Sequence, residues 1–349
     1  MPWTPLTAII MKRKILAIYS HHNAVEEYRT FRPLSRIKHK VTFVDYVLKK
    51  RRKVGDIAET LYKKGDIWFI KYLPDNNLPA LLLSCRQILR ERGKKVKIVV
   101  DLDDNVFEIP FGNIAMFFWG NSKIEKMASL VKYADLVKCS TEPLKDYVVK
   151  NLNDKAVVLK NCLDLDQWED TEEENDVVKI GWVYSKTHIP DIGECKKAIQ
   201  EIKKEYGDKI SIELFGGDNT VFDVETVVHE PIEFRQYHYK LMRLNWDISI
   251  APLVDNEFNR GKSNIKWLES TMAGSAFIGS KVAPYTDSIK NGKTGYLCKT
   301  KAQWKKALKT LIDDKTKRKE IRQNAYNEIV EKYDIEKEVE KYNQVFENL

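Results

Sequence analysis

Short apolar, β-prone runs recur along the chain, separated by longer stretches with helical spacing. In the first half they fall at residues 15–19, 41–46, 67–72, 96–100, 136–139 and 157–159. The second half repeats the pattern at 178–184, 210–215, 227–229, 248–253, 276–279 and 296–298. Runs this short, with little polar alternation, predict strands buried on both faces, as in a parallel sheet. Three helices are predicted to close the chain, over 303–313, 318–333 and 336–346.

Between residues 161 and 176 the apolar content falls and acids cluster (NCLDLDQWEDTEEEND), the composition of a solvated connector. The pattern therefore predicts α/β architecture in two doubly wound domains. The first covers residues 1–165, a linker 166–176, and the second 177–334; a last helix over 335–349 is expected to pack back on the first. Tandem sheets of this kind place their strand C-termini around a central cleft, where ligands bind.

Composition agrees with this plan. The 349 residues are 43% apolar and 32% charged, which excludes a disordered or fibrous chain. No apolar run approaches the roughly 18 residues of a membrane-spanning helix. An apolar start followed by Lys12, Arg13 and Lys14 is the reverse of a secretory signal, so a cytoplasmic protein is expected, with Met11 available as an initiator and residues 1–10 as an upstream extension. Five widely spaced cysteines without a C-x-x-C pair suggest neither a disulfide framework nor a zinc knuckle.

Charge is unevenly placed. Residues 1–100 carry 22 Lys and Arg against 8 Asp and Glu, a surplus of +14, and the rest of the chain is −6. Such a surplus attracts a polyanion, whether nucleic acid, anionic lipid or acidic glycan; it also fits a lysine-rich chain with solvated side chains. The densest patch is KKRRK at 49–53.

The most informative segment is 247–295, where a strand enters an Asn/Arg/Gly/Lys loop and then a helix that Ser263 is expected to cap and Gly274 to stop. Lys262, Lys266 and Glu269 are spaced i, i+4, i+7 on one face. That is either an ordinary ion-paired surface or a diphosphate site. In the second case free N–H groups at Ser263, Asn264 and Ile265 attract phosphate oxygens, Lys262 and Lys266 add charge, and Glu269 accepts ribose hydroxyls.

From Val177 onward the chain resembles the nucleotide-binding half of the GT-B glycosyltransferases of the family 4 type, the "glycosyl transferases group 1". The stretches that carry the likeness are IGWVYSKTHIPD, ELFGG, DISIAPL with KSNIKWLESTMAG, and NGKTGYLC. A weaker likeness in the first half rests on VVDLDDNVFEIP, ADLVKCSTEPLKDYV and VVLKNCLDLDQW. The resemblance implies two Rossmann-like domains and a retaining transferase that moves a sugar from a nucleotide-sugar, UDP favoured, to a hydroxyl, with no cofactor or metal required. Glu269 matches the second glutamate of the family's E-x7-E motif, and Gly261 stands where the first would be. The family's usual diphosphate cations are replaced by Ser185 and Pro190, which leaves Lys186, Arg260, Lys262 and Lys266 as substitutes, Lys262 and Lys266 foremost.

Other candidates surround the presumed cleft. His188 is either a donor contact or a structural hydrogen-bonder. Gly216 and Gly217 form a turn or give a nucleobase close access to the backbone. Asp101, Asp103 and Asp104 follow a buried strand; the preferred role is hydroxyl recognition or acceptor deprotonation, with Asp103 the foremost base, rather than metal binding, and turn capping is the alternative. His21, His22 and Asn23 are candidates for the sugar, and Tyr28, Arg29 and Arg32 for an anionic acceptor. Phe117, Phe118 and Trp119 are placed to stack on a base, enter a membrane interface or fill a core.

Three functional readings follow. In the first, the acceptor is polyanionic, most sharply a hydroxymethylated base in DNA. In the second it is a lipid-linked or cell-surface glycan, met through peripheral contact with an anionic membrane. In the third the chain is a catalytically inactive nucleotide or nucleic-acid binding module.

Overall fold

The computed structural model describes residues 12–19, 24–45, 53–71, 77–169, 175–217 and 219–349. Each of the twelve apolar runs overlaps a strand. In β1 (Lys14–Tyr19), Ile15 to Ile18 are all fully buried, as expected of a strand covered on both faces. It joins β2 (Lys40–Asp45), β3 (Ile67–Ile70), β4 (Lys97–Leu102), β5 (Leu136–Cys139) and β6 (Ala156–Val158) in a parallel sheet of order β2-β1-β3-β4-β5-β6.

The second sheet is built from β7 (Val178–Val183), β8 (Ile210–Phe215), β9 (Val227–His229), β10 (Ile248–Ala251), β11 (Ala276–Ser280) and β12 (Tyr296–Cys298). Its order is β12-β11-β10-β7-β8-β9, again all parallel. The chain winds outward from β7 in both directions, so the crevice between β7 and β10 is the switch point at which such sheets take ligands. Gly181 is fixed by packing here: a Cβ would lie 1.8 Å from the Trp246 ring.

Helices cover the sheets: α1 (Val54–Lys64), α2 (Leu78–Glu91), α3 (Ala115–Lys132) and α4 (Glu142–Asn151) on the first, α5 (Lys196–Tyr206), α6 (Phe234–Leu244), α7 (Ile265–Met272), α8 (Lys301–Asp313) and α9 (Lys315–Lys332) on the second. Their starts follow local chemistry. Thr141, Thr300 and Asp314 cap α4, α8 and α9 by accepting from N–H groups of the first turn. Among the described residues no helix is long and apolar enough to cross a membrane. All five cysteines are free and buried.

The last helix, α10 (Ile335–Glu347), lies against the first sheet. Asn343 accepts from the Lys38 N–H at 2.8 Å, Glu338 accepts from the Lys160 N–H at 2.7 Å, and Phe346 meets Phe69 edge-on. The chain thus crosses between the halves twice, and the crossings run side by side: Leu163 N–H donates to the Tyr333 carbonyl and Ile335 N–H to the Leu163 carbonyl. One apolar cluster continues from Ile15, Ala17 and Phe69 through Tyr342 to Trp246 and Trp267. The halves therefore share a core as well as a cleft.

Candidate functional site

β7 and β8 end at Val183 and Phe215, and the turns that follow open a cavity of about 280 Å³. Tyr184, Ser185, His188, Gly216, Tyr237 and Lys266 line it, with Phe215, Pro231 and Ile232 forming an apolar wall. His188 Nδ1 lies 3.0 Å from Asp191 Oδ2, and Asp191 Oδ1 accepts from the Val254 N–H and the Asn259 amide. Burial lowers the His188 pKa, with Asp191 opposing, so the ring is neutral at pH 7. One buried carboxylate thereby orients the histidine and holds the loop that leads to α7.

That loop brings the most informative sequence segment to the cavity. The N-cap of α7 is Asn264, so the expected cap at Ser263 is corrected by one residue; the Ser263 hydroxyl instead accepts from the Asn161 amide of the first half at 2.8 Å. Among the described residues the N–H groups of Ser263, Asn264 and Ile265 donate to no acceptor. Lys266, on the first turn, is 30% exposed and its ammonium sits 5.9 Å from the Tyr237 ring centre. Lys262 reaches across the cleft to Asp104 at 3.3 Å and covers the Phe258 ring. Arg260 turns to its own loop, paired with Asp255 and Glu257.

Glu269, one turn further along α7, is buried, and both carboxylate oxygens are engaged. Tyr28 donates to Oε1 at 2.9 Å and Tyr237 to Oε2 at 3.0 Å, while Lys266 lies 3.8 Å away. Burial and then Glu269 raise both phenol pKa values, which keeps the hydroxyls as donors. Tyr28, expected to face an acceptor, is instead held as a hydrogen-bond donor to the buried Glu269 carboxylate. Arg32 is also corrected: it is buried, with its guanidinium 5.0 Å from the Tyr28 ring centre and 5.4 Å from that of Phe234.

The aspartate triplet splits. Asp101 is fully buried inside β4, bound to Arg29 and Lys138 and 3.3 Å from Lys71, all of them buried. Burial would raise its pKa, but Arg29, Lys138 and Lys71 outweigh that and hold the carboxyl below its ordinary range. With its oxygens enclosed by cations, Asp101 is corrected from a cleft base to the centre of a structural cluster. Arg29 is corrected with it: its guanidinium also donates to the Leu159 carbonyl and to Asn161 and is fully buried. Asp103, at 26% side-chain exposure, is open to the cleft and rests on Lys71 at 2.5 Å, and Asp104, at 36%, is the more exposed and pairs with Lys262. Buried Glu26 borders the same cluster; burial raises its carboxyl to about 7, against the pull of Lys71.

The remaining candidates separate by position. Gly216 lines the cavity with φ +93°, a conformation that favours glycine. Gly217 is corrected: a Cβ there would lie 1.9 Å from the Tyr184 ring, so its bareness accommodates that ring rather than a base. Lys186 is exposed and outside the cavity lining, and Trp119 is half-buried against the first-domain core. Phe117 and Phe118 are 89% and 61% exposed. His21, His22 and Asn23, and the KKRRK run except Lys53, lie outside the described residues. No group of three or more His, Cys, Asp or Glu among the described residues is placed to hold a metal ion.

Sequence reasoning missed Tyr184, Tyr237, Lys71 and Lys138. An apolar-rich strand ending in Tyr184 and a tyrosine at helical spacing in α6 read as core, and only the folded chain shows two of them at the cavity.

Residues 264–328 match the family model described as "Glycosyl transferases group 1". An uncharacterised glycosyltransferase of Methanocaldococcus jannaschii is 22% identical over 276 residues, covering 74% of this chain and 70% of that protein. Among solved structures, Anabaena HepE in complex with UDP-glucose superposes with a TM-score of 0.68 at 13% identity, over 97% of this chain and 100% of that one. Sucrose-phosphate synthase from Thermosynechococcus elongatus gives 0.68 at 10% identity, over 97% and 99%. The chain thus has the two-domain GT-B fold, and the start of α7, with Lys266 and Glu269, falls within the segment that matches the glycosyl transferases group 1 model.

Proposed function

We propose that the protein is a retaining glycosyltransferase that moves a sugar from a UDP-sugar to a hydroxyl of a polyanionic acceptor, a hydroxymethylated DNA base being the sharpest candidate. The observation that carries the donor half is the start of α7, where three N–H groups without a protein acceptor immediately precede Lys266, which lines the cavity, at the positive end of the helix. In this reading the departing diphosphate is stabilised by those groups and by Lys262 once it leaves Asp104. Glu269 takes the ribose hydroxyls, and the apolar wall at Phe215 and Ile232 faces the base. HepE bound to UDP-glucose and to UDP with glucose supports a UDP donor by likeness of fold.

Across the cleft, Asp103 is the carboxylate within reach of an acceptor hydroxyl, with Lys71 fixing its orientation. Catalysis is then positioning plus electrostatic stabilisation of the leaving group, the donor's own phosphate offsetting the oxocarbenium charge. Thermal shift with a panel of nucleotide-sugars tests the reading. UDP-sugars are expected to raise Tm, and Lys266→Ala to abolish the rise. A panel without any stabilising nucleotide, or slow hydrolysis of a UDP-sugar unaffected by Lys266→Ala, defeats it.

A glycan acceptor at an anionic membrane is the second reading, favoured by the exposed rings of Phe117 and Phe118 at the start of α3. Co-sedimentation with anionic vesicles that is lost in Phe117→Ser/Phe118→Ser would select it over DNA.

A further inference from the structure

The first sheet has a second concave surface, at the end opposite the cleft. A groove of about 680 Å³ opens where β4, β5 and β6 begin, bounded by the C-terminal halves of α2 and α3. Seven of its thirteen lining residues are Lys or Arg, against the single acid Asp135. Asp135 is already committed: it lies 3.3 Å from Arg86 and 3.5 Å from Lys97, and it accepts from the Ile98 N–H. Lys94 is paired with Glu59. Among the described residues Arg90, Lys95, Lys132 and Lys155 make no ion pair with a carboxylate, and all four are exposed.

Helix dipoles account for part of this. Arg90 and Lys132 occupy the last turns of α2 and α3, where a cation is favoured. Lys95 and Lys155 precede strands and gain nothing of the kind. Like charges gathered in one concavity repel each other, and a polyanion removes the repulsion.

We infer that this groove binds a single-stranded nucleic acid through its phosphodiester backbone. A flat bilayer cannot follow a concave wall, whereas a strand can. Tyr133, 55% exposed on the lining, offers a ring on which a base stacks, the pairing of basic groove and aromatic platform that single-strand binding uses. The groove lies about 20 Å from the cleft, the length of a six-residue strand such as β4. A strand held there does not compete with a nucleotide-sugar. The assignment deepens the polyanionic-acceptor reading but does not depend on the donor reading.

Fluorescence anisotropy of a labelled single-stranded oligonucleotide on the full chain tests it. Four phosphate contacts predict that affinity falls about 50-fold between 50 and 200 mM salt. Arg90→Glu/Lys132→Glu/Lys155→Glu is expected to abolish that binding while leaving the UDP-induced rise in Tm unchanged. The milder Lys132→Gln/Lys155→Gln should bind more weakly and lower the salt slope by about 1.4, roughly 0.7 per lost contact. Failure of the parent chain to bind at 50 mM salt, or equal binding by the parent and both variants, overturns the inference. So does binding of phosphatidylserine vesicles through these residues when the oligonucleotide does not bind. Loss of the UDP response alone, with oligonucleotide binding intact, rejects the donor reading and leaves the groove assigned.

Discussion

The Tyr28 hydroxyl donates to Oε1 of Glu269 at 2.9 Å, joining residues 241 positions apart across the cleft. Removing that hydroxyl leaves a buried carboxylate oxygen short of a donor, which costs about 1–3 kcal/mol in the free protein. Tyr28→Phe should therefore lower Tm without ligand. UDP should then stabilise the variant more than the parent, because ribose hydroxyls replace the missing donor. A UDP-induced rise equal to or smaller than the parent's would show that ribose does not meet Glu269.

Lys266 is partly exposed and its ion pair with Glu269 is long, at 3.8 Å, so Lys266→Ala should change stability by less than about 1 kcal/mol. Its proposed role at the leaving group predicts a loss of kcat/KM of at least about tenfold, or 1.4 kcal/mol of transition-state stabilisation. Steady-state rates with a UDP-sugar, set beside a denaturation curve, separate the two effects.

Asp101 and Asp103 should diverge although they are two residues apart. Asp101→Asn strips the shared partner from three buried cations and should cost about 3–5 kcal/mol, read as a lower urea midpoint or an insoluble product. Asp103→Asn should fold normally and lose turnover. Equal effects of the two substitutions on stability would contradict the division.

Glu26 supplies a pH dependence of defined sign. Its folded-state pKa, about 7, lies above the ordinary carboxylate value near 4.5, so between these pH values the folded chain binds more protons than the unfolded one. Its contribution is complete below about pH 4.5 and is lost as pH rises through 7. The urea midpoint should fall over that window by the equivalent of about 1–3 kcal/mol. Glu26→Gln should flatten the profile, and a variant with the parent's slope would refute the assignment.

All twelve strands were legible because each overlaps a short apolar run, and the start of α7 was legible because its lysines, glutamate and glycine stop share one local pattern. What could not be read was parity and partnership. The apolar run stops at Val100, whereas β4 continues through Leu102, so Asp101 points into the core as a strand residue. Glu269 was legible as a carboxylate on a helix face; its two tyrosine partners come from other elements that only the tertiary fold brings together. The cap at Ser263 failed because its hydroxyl found a long-range donor in Asn161.

The paired crossings at Leu163 and Asp334 act as a pin. Because both connections pass at one place, relative sliding of the two lobes would break the hydrogen bonds between them, while swivelling about that line keeps them. Turning about that line would still have to part the Tyr28–Glu269 and Asn161–Ser263 hydrogen bonds, so the pin and the cleft contacts together hold the lobes in register.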